Sequence, residues 1–426
     1  MSLLPEPLRI PAFRAYWIAR LAATIAQMAM VIVIGWQVYD IARETMDIRD
    51  AAFQLGLIGL VQFVPLFLLT PVSGWAADRL DRRQIARAAI LLELVCALVL
   101  GWSTWAGVIS LPILFAVAAL LGVARAFAGP ALGALAPNLV PRRILPKAIA
   151  LSSTAWQAGA IIGPALGGIL YDVVPHLPYT LSVVLFAVAA AGLFAIGPVN
   201  RTALRPGSPW TQMVEGLAYV RRNRLVLGAI TLDLFAVLLG GVVAMLPVFA
   251  RDILAVGADG LGPLRAAPAV GATVTAIIFS ISPLRDNVGN KMLAAVVVFG
   301  AATAVFGVST SYLLSLAMLA LLGAADMFSV YIRQSLIQLH TPDDMRGRVA
   351  AASTLAISAS NELGEARSGF TAALIGPIAA TVAGGIAAIG VTLLWAWWFP
   401  ELRRARSFEL ADEPPPQDAT VVASGG

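Results

Sequence analysis

"PRRILPKAIALSSTAWQAGAIIGPALGG", residues 141–168, returns in altered form as "PDDMRGRVAAASTLAISASNELGEARSG", residues 342–369. At a constant offset of 201 residues, Pro141 meets Pro342, Ser152 meets Ser353, Gly163 meets Gly364 and Gly168 meets Gly369. Each copy runs from a charged loop into a Gly- and Ala-rich helix. A weaker echo links "GWAADRLDRR", residues 74–83, to "SPLRDNVGNK", residues 282–291. Repetition on this scale divides the chain into two halves that fold alike, with a site between them.

Composition says what the halves are made of. The chain is 59% hydrophobic and 12% charged, against about 25% charged residues in soluble domains. A helix needs roughly 20 apolar residues to cross a bilayer. Twelve such stretches are read at 15–39, 54–77, 85–107, 110–135, 148–171, 178–198, 226–249, 260–283, 291–309, 312–335, 348–375 and 378–399. The expected fold is all-α and integral to the membrane, with twelve transmembrane helices in two pseudo-symmetric six-helix bundles.

Positive charge orients the spans. Arg9 and Arg14, Arg79 to Arg87, Arg142, Arg143 and Lys147, Arg201 to Arg224, Arg285 and Lys291, Arg346 and Arg348, and Arg403 to Arg406 fall in one set of alternating loops. The other set holds Arg43, Arg49 and Arg251. Both termini are therefore expected in the cytoplasm, and the membrane is expected to be a bacterial cytoplasmic (inner) one. The net charge of +5 follows these loops, so no nucleic-acid partner is implied. No cleavable leader is evident at the start of the chain.

The expected organisation is a bundle at 1–198, a linker at 199–225, a bundle at 226–400 and a disordered tail at 401–426. Within the linker, Trp210, Met213, Val214, Leu217 and Val220 fall near one helix face, as in a helix lying on the leaflet. One cysteine, Cys96, excludes a disulfide framework. With only His176 and His340 besides it, no metal site or cofactor is expected. No phosphate-binding loop is present, so an ion or substrate gradient would supply the energy.

Three motifs resemble those of the major facilitator superfamily. "GWAADRLDRR" is similar to its motif A at Gly74, Asp78, Arg79, Arg82 and Arg83, with Asp81 in place of a second glycine. "LGVARAFAGPA", residues 121–131, resembles motif B through Leu121, Arg125 and Gly129, with Ala128 in place of a glutamine. "GAIIGPALGG", residues 159–168, carries motif C at Gly159, Gly163, Pro164, Gly167 and Gly168. "LPVFARDILAVGADGLGPLRAAPAVGA", residues 246–272, and "TPDDMRGRVAA", residues 341–351, are similar to the branch that includes enterobactin-type siderophore exporters. The resemblance spans essentially the whole chain.

That resemblance implies alternating access. The basic residues and Asp78 of motif A would gate the cytoplasmic side, although plain topogenic charge is the blander reading. The glycines at 159, 163 and 167 make a smooth stripe for close helix packing, and Pro164 removes a backbone donor. Motif C is associated with proton-coupled antiport.

Charges inside spans are costly, about 2.5–3.5 kcal/mol each at the bilayer centre on insertion scales. Arg125, Asp233, Asp326, Glu362 and Glu365 lie well inside theirs, and are the candidates for proton coupling. In the family fold spans 1, 4, 7 and 10 line the cavity. Arg125, Asp233 and Asp326 would then face one another, and movement of the arginine would load and release a proton. A fixed ion-pair network is the alternative. Glu362 and Glu365, three residues apart, share a helix face, so at least one is expected to hold a proton at neutral pH unless Arg125, Arg333 or another cation approaches, while Arg367 points elsewhere. Gln27, Trp36, Phe127, Phe235, Phe328 and Tyr331 are candidates for the cavity wall. Glu93 is expected to touch a neighbouring helix, and Arg20 to snorkel to the membrane edge.

The expected function is that of a secondary active transporter, exporting small amphipathic molecules such as siderophores or drugs in exchange for protons. It would act as a monomer in the lipid bilayer, with a small-molecule substrate and the proton as partners. A nutrient importer or facilitator is the alternative. A membrane sensor or enzyme finds no nucleophile or catalytic domain in support.

Overall fold

The computed structural model describes residues 5–198, 209–282, 284, 286–342 and 345–405, with backbone alone at 71, 74, 75, 77, 78, 134, 142, 209–213, 347, 351, 354, 355 and 358. Expectations placed on 199–208, on the tail beyond 405, and on the side chains of Asp78, Trp210 and Met213 fall outside it. Twelve spans are present among the described residues. They are α1 (Pro11–Thr45), α2 (Ile48–Arg79), α3 (Arg82–Trp105), α4 (Leu111–Leu135), α5 (Leu145–Val173) and α6 (Leu177–Ala195), then α7 (Arg224–Gly240), α8 (Gly257–Ile281), α9 (Val288–Val308), α10 (Tyr312–Leu339), α11 (Arg346–Ile375) and α12 (Pro377–Trp398).

Helix starts carry the expected signals. Asp47 and Asp81 cap α2 and α3 by accepting from the backbone N–H of Asp50 and Arg83, and Asn223 caps α7 through Val226. Gly376 separates α11 from α12 with φ +88°, a conformation that favours glycine.

Helices α1 to α6 pack as one bundle and α7 to α12 as another; the two meet chiefly where α2 lies on α11 and α5 on α8. Among the described residues, ten spans are long and apolar enough to cross a membrane on composition alone, and α5 and α11 are not among them. These two carry the sequence repeat. Both are covered by protein from each half, which relaxes the demand for apolar surface.

The repeat is repeated in the packing. A Cβ built on Gly163 of α5 would come within 2.7 Å of Ile25 O and Met28 Cβ on α1. Its counterpart Gly364 on α11 would meet Val237 O of α7 at 3.0 Å. Gly168 of α5 lies against Ala258 and Gly262 of α8, and its counterpart Gly369 lies against Gly56 of α2. Motif C thus divides in two. Gly159, Gly163 and Gly167 seat α5 on α1 inside one half, while Pro164 and Gly168 contact Gly262 across the halves.

The seventh span departs from the expected continuous helix over 226–249. It stops at Gly240, where Gly241 takes an extended conformation, and resumes through a 3₁₀ turn and a π turn, Phe249–Ile253. Breaking a helix inside a membrane frees backbone carbonyls that need partners. Ser368 of α11 donates to the Gly241 carbonyl at 2.5 Å.

The connecting helix is Pro209–Arg222. It is more than a raft on the leaflet. Val214 and Leu217 are exposed, but Val220 is buried against Val226, Ile230, Ile337 and Val349. Glu215 pairs with Arg348 at 3.0 Å and Tyr219 donates to the His340 carbonyl at 2.7 Å. It is fastened to the second half.

Candidate functional site

A cavity of about 390 Å³ lies in the part of the first bundle nearest the face that carries the N-terminus. Its wall combines Arg20, Thr24 and Gln27 of α1, Glu93 of α3, Arg125 of α4, Trp156 of α5, and Asn361 and Glu362 of α11. Arg125 reaches across the halves to Glu362 at 2.9 Å and donates to Gln62 of α2 at 3.4 Å. A second cavity, about 50 Å³, is lined by Gln62, Arg265 of α8 and Glu365 of α11, with Arg265 4.0 Å from Glu365. The shared face of Glu362 and Glu365 therefore divides the two spaces. Each carboxylate finds an arginine, one from each half of the molecule.

This grouping corrects the expected set. Arg125 does not meet Asp233 and Asp326. Asp233 pairs with Arg333 of α10, both almost fully buried. Asp326 lies beside Asp233 on a void of about 10 Å³ lined also by Ala325, Ser329 and Phe299, space for about one water. Burial within the second bundle keeps these groups away from the large cavity. Arg367 donates to Ser368 and lies against Gly384, away from both glutamates, as its spacing implied.

Of the candidate wall residues only Gln27 lines the large cavity. Trp36 is buried in the core. Phe235 packs on Trp395 at 5.2 Å, and Phe328 and Tyr331 pack on Phe279 of α8 at 5.0 and 4.6 Å. Phe127 is half-buried and outside that wall. Aromatic side chains here fill gaps between helices of the second bundle, which their sequence positions do not distinguish from a wetted wall.

Three residues were underrated by sequence. Glu93 does touch a neighbouring helix, through Gln27 Nε2 at 3.0 Å, but it also lines the cavity. Arg20 stays in the cavity, held by Tyr16 Oη at 3.1 Å, instead of reaching for the membrane edge. Arg265 sits in "GPLRAAPAV" inside an apolar span, and that placement was the available signal.

In the motif A loop, Arg83 pairs with Asp81 at 2.5 Å and donates to the Ile196 carbonyl at 3.2 Å. Its partner is thus the residue that replaces the family's glycine, and it ties α3 to the end of α6 in its own half. The Arg83 hydrogen bond holds the Asp81 carboxyl below the ordinary carboxylate range. The contribution of this pair is present at neutral pH and is lost only as pH falls through that lowered value.

The opposite face is closed by a reciprocal clamp. Asp40 and Arg43 end α1; Arg251 and Asp252 lie in the π turn of the seventh span. Arg251 bonds Asp40 at 2.7 Å, Arg43 approaches Asp252 at 3.4 Å, and Tyr39 Oη donates to Asp252 at 2.5 Å. A partly exposed pair contributes about 0–1 kcal/mol, so the contacts count together. Arg251→Ala with Asp252→Ala should open this face about three- to tenfold more often. A cysteine at Val243, which lines the small cavity between the halves, reports the change by alkylation rate, since the native Cys96 is buried. An unchanged rate would leave the clamp without a gating role.

Two six-helix bundles around charged cavities, sealed by ion pairs at one face, define a multi-pass membrane protein of the transporter type. The chain belongs to the Major Facilitator Superfamily, whose family model matches residues 15–365. It is 27% identical over 429 residues to the enterobactin exporter EntS of Escherichia coli O6:K15:H31, covering 97% of this chain and 96% of that one. Its fold is similar to a crystal structure of a POT family transporter in complex with a thioalcohol-conjugated peptide, with TM-score 0.72, 12% identity, and coverage of 92% and 96%. It is also similar to a bacterial homologue of the iron transporter ferroportin in an inward-facing state, with TM-score 0.66, 18% identity, and coverage of 95% and 100%.

Proposed function

We propose that this transporter exports siderophore-like amphipathic molecules in exchange for protons, from the cytoplasm across a bacterial inner membrane. The observation that carries the reading is the Arg125–Glu362 bond, which joins the halves at the end of a large cavity. The full-length likeness to an enterobactin exporter supports the direction and the substrate class. With both termini cytoplasmic, as the arginine distribution implies, the large cavity faces the cytoplasm and the clamp closes the outer side.

The mechanism follows from charge. In this state Glu362 holds Arg125 and thereby the other half. A proton taken up by Glu362 removes the charge that Arg125 is attracted to, so the halves can part there; its release restores the bond. Glu365 and Arg265 repeat the arrangement on the next turn. Asp233, Asp326 and Arg333 form a second candidate proton site inside the second bundle. The motif A residues Gly74, Asp78, Arg79, Arg82 and Arg83 would steady the cytoplasmic side. Residues 1–198 and 226–400 would move as units about the α5–α8 and α2–α11 contacts, joined by 199–225 and followed by the tail 401–426. A monomer suffices for this cycle.

Everted membrane vesicles from a deletion strain test the proposal. Vesicles holding the protein should accumulate an added siderophore when acidified inside, and lose that uptake when the pH gradient is collapsed. Asp233→Asn, Asp326→Asn and Glu362→Gln should each lower gradient-driven uptake at least fivefold with normal membrane levels. Uptake indifferent to the gradient would remove proton coupling; uptake only in right-side-out vesicles would make the protein an importer.

A further inference from the structure

We infer that Arg20 and Trp156 form the recognition subsite of the large cavity, and that it takes an organic anion carrying a flat ring. The inference rests on the transport reading above and names the substrate chemistry of the same cavity.

The argument starts from what each charge in the wall is already doing. Arg125 is engaged by Glu362 at 2.9 Å. Glu93 is 2% exposed and accepts from Gln27 at 3.0 Å. Arg20 is different. Its guanidinium has five N–H donors, yet among the described residues its one side-chain bond runs from Nη1 to Tyr16 Oη at 3.1 Å. Its Nε is buried and has no hydrogen-bond partner. It makes no ion pair with a described carboxylate.

A guanidinium in a membrane span carries a large insertion cost, and leaving a buried donor unpaired adds to it. The protein retains this arrangement and also fixes it. Tyr16, fully buried, donates its own proton to the Leu132 carbonyl at 3.0 Å, so its oxygen stands ready to accept from Arg20. The guanidinium is thus positioned with its charge uncommitted, as a receptor for an anionic oxygen pair needs.

The second element is Trp156, on the same cavity wall and 47% exposed. The neighbouring helix contact places it. Gly159, one turn on, seats α5 against Thr24 of α1, the residue one turn on from Arg20. An exposed indole offers a flat face to a ring, and a fixed arginine offers a fork to its acidic oxygens. A cationic ligand would be repelled by Arg20, while Glu362 is already held by Arg125 and Glu93 is almost fully buried. A neutral ligand would leave the guanidinium unpaired.

Full-length protein in lipid nanodiscs, titrated calorimetrically, tests this with four probes: 2-naphthoate, 2-naphthamide, 2-naphthylmethylamine and cyclohexanecarboxylate. Naphthoate should bind at least tenfold tighter than the amide, and the amine should not bind. Cyclohexanecarboxylate should fall between them, separating the charge from the ring. Arg20→Gln should weaken naphthoate at least tenfold and leave the amide unchanged; Arg20→Lys should recover part of the loss. Trp156→Leu should weaken naphthoate while sparing cyclohexanecarboxylate. Thermal unfolding of each variant guards against misfolding. Equal binding of acid and amide, or naphthoate binding untouched by Arg20→Gln in a folded protein, overturns the subsite. The transport reading fails separately: naphthoate that binds as expected but is never moved in everted vesicles leaves the subsite standing and removes export. Gradient-driven uptake of the amine without naphthoate binding does the reverse.

Discussion

Replacing Arg125 with alanine is expected to cut gradient-driven uptake by about 30- to 150-fold. The estimate comes from the carboxylate it leaves behind. Glu362 is 13% exposed on its side chain and Arg125 28%. Breaking a fully buried pair by removing one partner costs about 3–5 kcal/mol. Partial exposure reduces that to about 2–3 kcal/mol, and about 1.4 kcal/mol is tenfold. Glu362→Gln leaves a neutral group facing Arg125, which keeps Gln62 as a partner, so its effect should be smaller. The double change Arg125→Ala with Glu362→Gln should then be less harmful than Arg125→Ala alone, because no unpaired charge remains. Arg125→Lys should recover little where the planar fork serves Gln62 and Glu362 together. Initial uptake rates, normalised to membrane-inserted protein, decide it. Additive losses in the double variant would mean that the two residues act independently.

Leucine at Gly168 should abolish uptake in a protein that still inserts and unfolds at near-normal temperature. Leucine at Gly163 should instead lower stability. The difference lies in what each glycine touches. At Gly163 the added carbons run into Ile25 and Met28 of α1, within one bundle. At Gly168 they run into Ala258 and Gly262 of α8, in the other bundle. Overpacking costs about 1–3 kcal/mol at either place. Inside a bundle it is a loss of fold stability. Between bundles it can be relieved by parting the halves, at the expense of the state in which they meet. Leucine at Gly369, which meets Gly56 of α2, should behave like leucine at Gly168. Melting temperature and uptake measured together separate the classes. A Gly168→Leu protein with full uptake would take the α5–α8 contact out of the cycle.

The glycine pairs also show how deep the repeat runs. The 201-residue offset was visible as eight identities between 141–168 and 342–369, and each glycine pair it aligned makes equivalent contacts in the two halves. Gly163 and Gly364 face α1 and α7, and Gly168 and Gly369 face α8 and α2. Sequence could align them because glycine is demanded by backbone approach, which leaves the same letter in both halves.

The sequence by itself determined twelve spans, the two halves and the superfamily, because length, hydropathy and motif spacing are local or nearly so. It also placed Arg125, Asp233, Asp326, Glu362 and Glu365 inside the membrane and left the two glutamates with either a shared proton or a nearby cation. Which cation it could not assign. That Arg125 goes to Glu362, and Arg265 to Glu365, depends on how α4, α8 and α11 rotate about their axes where the halves meet. The same rotation buries Asp233 with Arg333 in one bundle and turns Phe328 and Tyr331 onto Phe279. The clamp at the face opposite the N-terminus, too, is tertiary. Asp40, Arg43, Arg251 and Asp252 read as ordinary loop charges until the ends of the first and seventh spans stand side by side. A helical period tells which residues share a face; only packing tells what that face meets.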